Sequence, residues 1–290
     1  MEVEQAISAG LRFLRSRQAE QGYWSDWCLP VGESRMWTTA YVGYRLSGLC
    51  SALETLERAA NWLANVELPG GGWGYNEEAG ADADSTALAI LFLTAQGMTV
   101  EERSYQRLKR FQRAEGGFST YTLEQTFGAW TESHVEITAV AMQALRGRDA
   151  DVVRWAEAYV RTQETPERMW NSYWWDTPLY ATEAVLRAMG GGKHFEDIEP
   201  RNSFERALLV LCLGHVGGDA ERVAGDLVDA QLDDGSWPST PVLRLPSRAC
   251  SLPWIEKDSA PLFADQNRIF TSATVIGSLV GLISNFRRGC

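Results

Sequence analysis

The sequence is short of positive charge, of long apolar stretches and of nucleotide-binding motifs, and each absence excludes a class of protein. Its 27 Lys and Arg face 38 Asp and Glu, and no basic cluster interrupts the net charge of −11. This balance argues against nucleic acid or an anionic membrane as the partner. No apolar run reaches about 18 residues, so we expect no transmembrane segment. Glycine motifs of the P-loop and dinucleotide-binding types are missing, and we expect no redox cofactor.

Cysteine is also scarce. The five cysteines are scattered, odd in number and free of any Cys-X-X-Cys pair. Such usage is typical of free thiols in a reducing compartment. The first five residues are acidic and lack the basic and apolar regions of a signal peptide. We therefore expect a cytoplasmic protein.

The sequence does have a repeated unit. The unit is Gln, three residues, Gly, one residue and an aromatic residue, and one copy has Glu in place of Gln. The four copies span residues 18–24, 67–73, 112–118 and 231–237. Each follows an amphipathic helical pattern, and a recurrence of this kind indicates a repeat architecture. We expect the unit to tie the end of a helix to the following turn, with Gly permitting the turn and the aromatic packing beneath it.

Two kinds of helical pattern alternate along the chain. Amphipathic patterns, expected for outer helices, span 2–18, 52–66, 100–113, 149–163 and 219–232. Nearly all-apolar patterns, expected for inner helices, span 35–49, 84–96, 134–147, 178–190, 202–215 and 268–285. Strand signals are absent. The alternation predicts an all-α fold, an (α/α)6 toroid forming a single domain over residues 1–290. Its fifth outer helix is expected to be degenerate, because three glycines at 190–192 and Pro200 leave room only for a short connector.

The inner helices align on a shared Thr/Ser-Ala or Thr-Glu step, less securely in the fifth. The residues two positions before each step are expected to form a ring near the helix N-termini. These residues are Trp37, Asp84, Glu136, Tyr180, Phe204 and Phe270. Two neighbouring acids would thus lie among four aromatic side chains.

This combination suggests proton transfer to a hydrophobic substrate. Burial among aromatic walls raises the pKa of an acid, and a neighbouring carboxylate raises one pKa of the pair further. An acid that stays protonated can protonate an alkene or an epoxide, and aromatic faces can stabilise the resulting carbocation. In the competing interpretation Asp84 and Glu136 merely cap helices, where carboxylates are favoured.

The repeats and the helix alternation resemble the superfamily of squalene–hopene cyclases, class II terpene cyclases and protein prenyltransferase β-subunits. Within this resemblance, Asp82-Ala83-Asp84-Ser85-Thr86-Ala87 is similar to the class II motif Asp-X-Asp-Asp-Thr-Ala. The resemblance implies that Asp84 is the proton donor and Asp82 the first motif acid. Ser85 stands where the motif has its last Asp, a departure from the family pattern. His134 is the candidate for the His that assists the acid in squalene cyclases, although it can equally be a helix-entry residue.

The resemblance implies a terpene cyclase of the isomerase or lyase class that folds a linear isoprenoid, with or without a diphosphate, into rings. Asp82, Glu136 and His134 would assist Asp84. No metal is expected, and Mg²⁺ would take part only if the substrate carries a diphosphate. The cavity would be lined by Trp37, Trp130, Trp174, Tyr180, Phe204 and Phe270.

The resemblance implies a cavity enclosed between this barrel and a second one, and we expect these 290 residues to form only the first. Long apolar loops can substitute for the second barrel: 114–132, 164–178 and especially 238–267. A homodimer or a partner chain could also close the cavity.

Three other functions remain open. Asp26-Trp27-Cys28 offers two zinc ligands of the protein prenyltransferase type, but no His follows within a hundred residues. An α/α-barrel glycoside hydrolase or lyase could use the 12 Trp as sugar platforms, with Asp84 and Glu136 as acid and base. The chain could also be a non-catalytic barrel that binds an isoprenoid or another lipid.

Overall fold

The structure, a computed structural model, describes residues 3–49, 52–191 and 198–288. Its helices are α1 (Val3–Arg17), α2 (Met36–Leu46), α3 (Leu53–Asn65), α4 (Ala83–Ala95), α5 (Glu102–Lys109), α6 (Val135–Leu145), α7 (Ala150–Thr162), α8 (Pro178–Met189), α9 (Ser203–Val216), α10 (Glu221–Asp229) and α11 (Ile269–Arg288). Its strands are β1 (Asp26–Leu29), β2 (Gly32–Ser34), β3 (Pro241–Arg244) and β4 (Leu262–Ala264).

Six of the helices form a closed inner ring. Contacts run from α2 to α4, α6, α8, α9 and α11, and α11 packs back on α2. These helices are buried on nearly all sides: in α4, for example, almost every residue from Ala83 to Leu93 is buried. A segment that is apolar all round is stable only when neighbours cover every face. The predicted toroid is therefore confirmed, with α4 and α9 on opposite sides of the ring.

The amphipathic helices lie outside this ring. α3, α5, α7 and α10 each pack on an inner helix, and α1 packs on α10 and α11. No helix lies between α8 and α9 among the described residues, as expected for a degenerate fifth outer helix. The predicted connector falls partly outside the described residues, at 192–197.

Hydrogen bonds of the repeated unit tie three elements together. The Gln112 side chain donates to the carbonyl of Gly116 in its own turn and to that of Val152 in the next outer helix, both at 3.0 Å. Gln18 and Gln231 do the same with their own neighbours. Gly116 has φ +98, and a Cβ there would lie 2.4 Å from the carbonyl oxygen of Trp155. The turn therefore needs glycine both for its backbone conformation and for its close approach to α7.

The shared Thr/Ser step of the inner helices accepts a hydrogen bond from the repeated unit. The backbone N–H of Trp24 donates to the hydroxyl of Thr39 at 2.9 Å, and that of Phe118 to Thr138 at 2.8 Å. Trp73 and Trp237 make the equivalent bonds to Thr86 and Ser272. Each unit therefore fixes the start of the inner helix that follows it.

The sequence pattern missed a fifth copy, at residues 164–170. The Trp170 N–H donates to the hydroxyl of Thr182 at 3.1 Å, and its indole donates to the carbonyl of Val160 at 2.8 Å, as the other Trp units do ten residues back. The position of the glycine is taken by Arg168, which has φ +62. A glycine search cannot find this copy, because a non-glycine residue adopts the left-handed conformation here.

The expected absence of strands is wrong in detail. β1 pairs with β2 and β3 with β4, each as a short antiparallel ladder with an irregular register. Both ladders lie in loops that enter an inner helix, at the end of the barrel that holds the inner-helix N-termini, here called the mouth. Strands of three or four residues are too short to show an alternating pattern in sequence.

The loop 238–267 crosses the mouth. The Arg244 N–H donates to the carbonyl of Trp174 at 2.7 Å, and the Tyr173 hydroxyl donates to the carbonyl of Cys250 at 2.9 Å. The Trp130 indole donates to the carbonyl of Pro246 at 3.0 Å. The three long loops singled out in the sequence thus pack on one another over the ring.

Candidate active site

Four predicted aromatic residues come together at the mouth, around a fifth that was not predicted. Phe270 lies 5.7 Å from Trp37 and 4.8 Å from Phe204 between ring centroids, and Tyr180 lies 6.2 Å from Phe204. Trp175 contacts all four and stacks on Phe270 at 4.7 Å and 8°. These five residues are called the aromatic cluster below. The four aromatic members of the predicted ring therefore lie together, and the Trp175 side chain lies among them.

Asp84 lies beside this cluster. It accepts a 2.5 Å hydrogen bond from the Trp37 indole. It keeps partial exposure, whereas Asp82 and Glu136 are buried. Burial of the carboxyl raises its pKa to about 6, and the Trp37 hydrogen bond acts in the opposite direction. Asp84 is therefore a partly exposed acid, and its protonated form predominates below about pH 6.

Asp82 caps α4 together with Ser85. The Ser85 N–H and hydroxyl donate to its two carboxylate oxygens at 2.7 and 2.8 Å. Burial raises the pKa of Asp82 to about 7, and the charge of Asp84 adds to the rise. Ser85, the residue that departs from the family motif, thus supplies hydrogen bonds to Asp82, the first motif acid. An aspartate in place of Ser85 would bring a third carboxylate against Asp82 instead.

Only one of the two carboxylate oxygens of Glu136 has a hydrogen-bond partner among the described residues. Its Oε1 accepts the backbone N–H groups of Tyr173 and Trp174 at 2.6 and 2.9 Å. Its Oε2 is buried and has no hydrogen-bond partner among the described residues. Burial raises the pKa of Glu136 to about 7, with Asp84 among the charges that contribute. The carboxylate therefore binds the loop at Tyr173 and Trp174 in addition to its own backbone N–H at the start of α6.

His134 does not contact Asp84 by any of its ring hydrogen bonds. Its Nε2 donates to the carbonyl of Ala129 at 3.1 Å, and its Nδ1 lies 3.4 Å from the hydroxyl of Thr120. The ring stacks on Tyr173 at 3.8 Å. Burial lowers the pKa of His134 to about 3, so the ring is neutral. It is positioned as a helix-entry residue, at the N-cap of α6.

Trp130 and Trp174 lie apart from the aromatic cluster. They contact each other at 5.4 Å, and Trp174 also contacts Tyr173 at 5.1 Å. The Trp174 indole donates to the hydroxyl of Thr120 at 2.8 Å. They belong to a second aromatic group, which lies over α6. The hydrogen bond from the Trp174 backbone N–H to Glu136 connects this group to the acids.

Trp175, at the centre of the aromatic cluster, was not among the predicted site residues. The sequence signal was present as a dense aromatic run at 170–175. A loop has no helical or strand period, so the run does not show which of two adjacent tryptophans faces the ring.

The Asp-X-Cys pair considered for zinc has one residue in a buried position and the other in an exposed one. Asp26 is buried and accepts the backbone N–H groups of Trp27, Asn267, Ile269 and Phe270. Cys28 is exposed on the hairpin. Within the described ranges, no group of three or more His, Cys, Asp or Glu is arranged to hold a metal ion.

The curated proteins similar to this chain are two cyclisation enzymes, each matched over part of its length. No family model matches the chain. The chain is 29% identical over 168 residues to a copalyl diphosphate synthase of Streptomyces cyslabdanicus, covering 54% of this chain and 26% of that protein. It is 23% identical over 206 residues to the squalene–hopene cyclase of Alicyclobacillus acidocaldarius, covering 57% and 33%. The chain thus matches about a quarter to a third of the length of these curated relatives.

Solved structures extend the likeness to the whole chain. The type II terpene cyclase MstE from Scytonema superposes with a TM-score of 0.85 at 25% identity, covering 97% of this chain and 99% of that one. A variant of MstE in complex with its product, merosterolic acid A, superposes with a TM-score of 0.84 over 97% of both chains. The resemblance predicted from the repeats and the motif is confirmed: the chain is similar to type II terpene cyclases and has their helical toroid fold.

Over the described residues, none of the helices combines the length and the apolar character that a membrane span requires.

Proposed function

We propose that this protein is a class II-type terpene cyclase in which Asp84 protonates a linear isoprenoid. The observation that carries this proposal is the position of Asp84. It occupies the middle place of the motif, keeps partial exposure, and accepts a hydrogen bond from a tryptophan of the aromatic cluster. A carboxyl group with a pKa of about 6 is protonated in a useful fraction of molecules near neutral pH.

The proposed reaction is an isomerisation, because substrate and product have the same atoms. The Asp84 proton adds to a terminal alkene carbon, and a tertiary carbocation forms at its neighbour. Internal alkenes attack this cation in turn, and each attack closes a ring. Loss of a proton from the last cation gives the product, and one proton has entered for each that leaves. Trp37, Tyr180, Phe204 and Phe270 present π faces that stabilise the cations.

Glu136 is the candidate acceptor of the last proton. Its Oε2 has no hydrogen-bond partner among the described residues, and a pKa of about 7 leaves a share of the molecules ionised at neutral pH. Asp82 is assigned a tuning role, because it lies close enough to Asp84 for the charge of Asp84 to raise its pKa. His134 is assigned a positioning role in the loop over α6.

The relatives support an isoprenoid with a polar end. MstE has been solved with geranylgeranyl dihydroxybenzoate as its substrate, and another relative is a copalyl diphosphate synthase. We infer that this chain acts on a hydrophobic prenylated compound and needs no redox cofactor. Mg²⁺ takes part only with a diphosphate substrate. The free thiols of Cys28, Cys212 and Cys250 fit a cytoplasmic location.

We assign closure of the cavity to the loop 238–267. In this proposal a single domain covers the chain. The loop already packs on the other mouth loops, and a carbocation needs a dry site. A dimer or a partner chain remains the alternative, and sedimentation of the active preparation distinguishes the two.

The test is incubation with linear isoprenoids of several lengths, followed by mass spectrometry of the products. Cyclised products are expected from the native protein. Asp84→Asn should lower turnover by at least about 10³-fold, because an amide cannot supply the proton. Asp226→Asn, on the outer helix α10, is the matched control and should keep full activity. Parallel incubation with oligosaccharides tests the glycosidase alternative, and tight isoprenoid binding without turnover would indicate a non-catalytic barrel.

A further inference from the structure

A recess opens at the mouth beside the aromatic cluster. It lies between the start of α8, the start of α9 and the loop 238–267, and is called the α8–α9 cleft here. Its volume is about 350 Å³, which falls within the usual range of about 300–1,000 Å³ for small-molecule sites. Apolar side chains, among them Met169, Leu179 and Trp254, form part of its wall.

Trp175 is shared by the cleft and the aromatic cluster. It lines the cleft, and it also lies 5.8 Å from Trp37, the residue that holds Asp84. A single indole therefore separates the cleft from the group next to the acid. Since α4 and α8–α9 lie on opposite parts of the ring, a chain whose reacting end reaches Asp84 would extend past Trp175 into the cleft.

The charges that line the cleft cancel. They are Arg201, Arg244 and Lys257 on one side and Asp176, Glu199 and Glu205 on the other.

Both arginines are already paired. Arg201 bonds Asp176 at 3.2 Å and also pairs with Glu205, and Arg244 bonds Asp176 at 3.0 Å. Arg244 further donates to the carbonyl of Ser172 at 2.9 Å. Of the three cations, Lys257 is the one without an ion pair to the described residues. A diphosphate ester, with several negative charges, would face three carboxylates and a single uncommitted cation here.

We propose that the α8–α9 cleft binds the polar head group of the substrate, and that this head group is a hydrogen-bonding group with at most one negative charge, not a diphosphate. The proposal rests on the isoprenoid function proposed above. In this arrangement the isoprenoid chain displaces the Trp175 side chain when it spans from the cleft to Asp84.

The experiment measures binding apart from turnover, by equilibrium dialysis with the Asp84→Asn protein. The probes are farnesol and geranylgeraniol, their diphosphates with and without Mg²⁺, and the matching hydrocarbons without oxygen. The alcohols should bind at least about tenfold more tightly than the diphosphates. Tighter binding of the diphosphates would overturn the assigned head-group class.

A pair of variants tests whether the head group binds in the α8–α9 cleft. Met169→Trp narrows the cleft, and Met98→Trp is the same change at a partly buried methionine at the other end of the barrel. Met169→Trp should weaken alcohol binding about tenfold and leave hydrocarbon binding within about twofold, while Met98→Trp should change neither. Equal loss for alcohol and hydrocarbon, or no loss at all, would overturn the location. Met169→Phe serves as the milder variant if the tryptophan impairs folding by circular dichroism.

The two proposals fail differently. If the native protein binds alcohols in this pattern but converts none, the cyclase function is wrong and the cleft assignment stands. If it cyclises isoprenoids while Met169→Trp leaves their KM unchanged, the cyclase function stands and the cleft assignment is wrong.

Discussion

Glu136 and Glu183 lie on adjacent inner helices and are equally buried, at 1% exposure each, yet their pKa values shift in opposite directions. Burial raises the pKa of Glu136 to about 7. Burial also acts to raise that of Glu183, but Arg187 and Arg45 outweigh it and hold the pKa well below its usual range. Burial therefore does not decide the charge of an acid in this barrel; the presence of a cation partner does.

The two acids serve different regions. Glu183 bonds Arg45 at 3.0 Å and also contacts Arg187 and His215, inside the ring beneath the aromatic cluster. Glu136 receives only backbone N–H groups, at the mouth. In the interior, the carboxylate of Glu183 stays ionised and has a structural role. At the mouth, the acids have pKa values near neutral pH, so they can gain and lose protons there. Four predictions test this contrast, in descending order of expected effect.

Glu183→Gln should produce the largest loss of stability. The change leaves Arg45 and Arg187 buried without their counter-charge, and breaking a buried pair in this way costs about 3–5 kcal/mol. Urea unfolding at pH 7 measures the loss. Glu57→Gln, at an exposed position on α3, is the control and should change stability by less than about 0.5 kcal/mol. A loss for Glu183→Gln no larger than that of the control would show that the ion pairs do not hold the ring.

The pH profile of turnover should reflect the raised pKa of Asp84. An acid catalyst acts when protonated, so kcat/KM should fall as pH rises through about 6, by about tenfold per unit above it. Steady-state rates from pH 5 to 8 test this, with stability checked at each pH. A profile that is flat across this range would argue against an Asp84 proton in the rate-determining step.

Glu136→Gln should alter how stability depends on pH. The folded pKa of Glu136 lies above the unfolded value, so its contribution to stability is full below about pH 4.5 and is lost as pH rises through about 7. Gln cannot ionise, and its carbonyl can still accept the two backbone N–H groups. Between pH 5 and 8 the variant should therefore lose up to about 3 kcal/mol less stability than the native protein. Thermal unfolding at both pH values gives the comparison, and parallel curves would contradict it.

Ser85→Asp, which restores the family motif, should have the smallest effect and should destabilise the protein. It removes the hydroxyl that donates to Asp82 and places a second carboxylate against it, so the loss should be greater at pH 8 than at pH 5. We expect about 1–3 kcal/mol at pH 8. Ser85→Ala removes the hydroxyl without adding charge and separates the two causes. A variant as stable as the native protein at pH 8 would show that the departure from the motif has no structural basis.

The sequence predicted the ring residues well, because helical periodicity fixes which residues share a level. Trp37, Asp84 and Phe270 come from three different helices, yet one shared step in each helix was enough to align them. Loops lack such a period. Trp175 was therefore missed, and Trp130 and Trp174 were expected in the cavity although they lie over α6.

The roles of the acids were less predictable than their positions. The motif marked Asp82 and Asp84 alike, but the structure commits Asp82 to Ser85 and leaves Asp84 to Trp37. His134 was paired with the acid on proximity in sequence. Its two ring nitrogens instead face Thr120 and Ala129, groups brought there by a loop.

The sequence by itself determined the helices, their inner and outer faces and the closed ring, because each follows from local periodicity and from a repeated hydrogen-bonding unit. Tertiary structure alone decided which buried acids are ionised, which loop side chain occupies the centre of the aromatic cluster and which charges line the cleft beside it. Those properties depend on partners far apart in the chain, such as Arg45 with Glu183 and Tyr173 with Glu136. A local pattern contains no information about such partners, and the electrostatic energy of a buried group is set almost entirely by them.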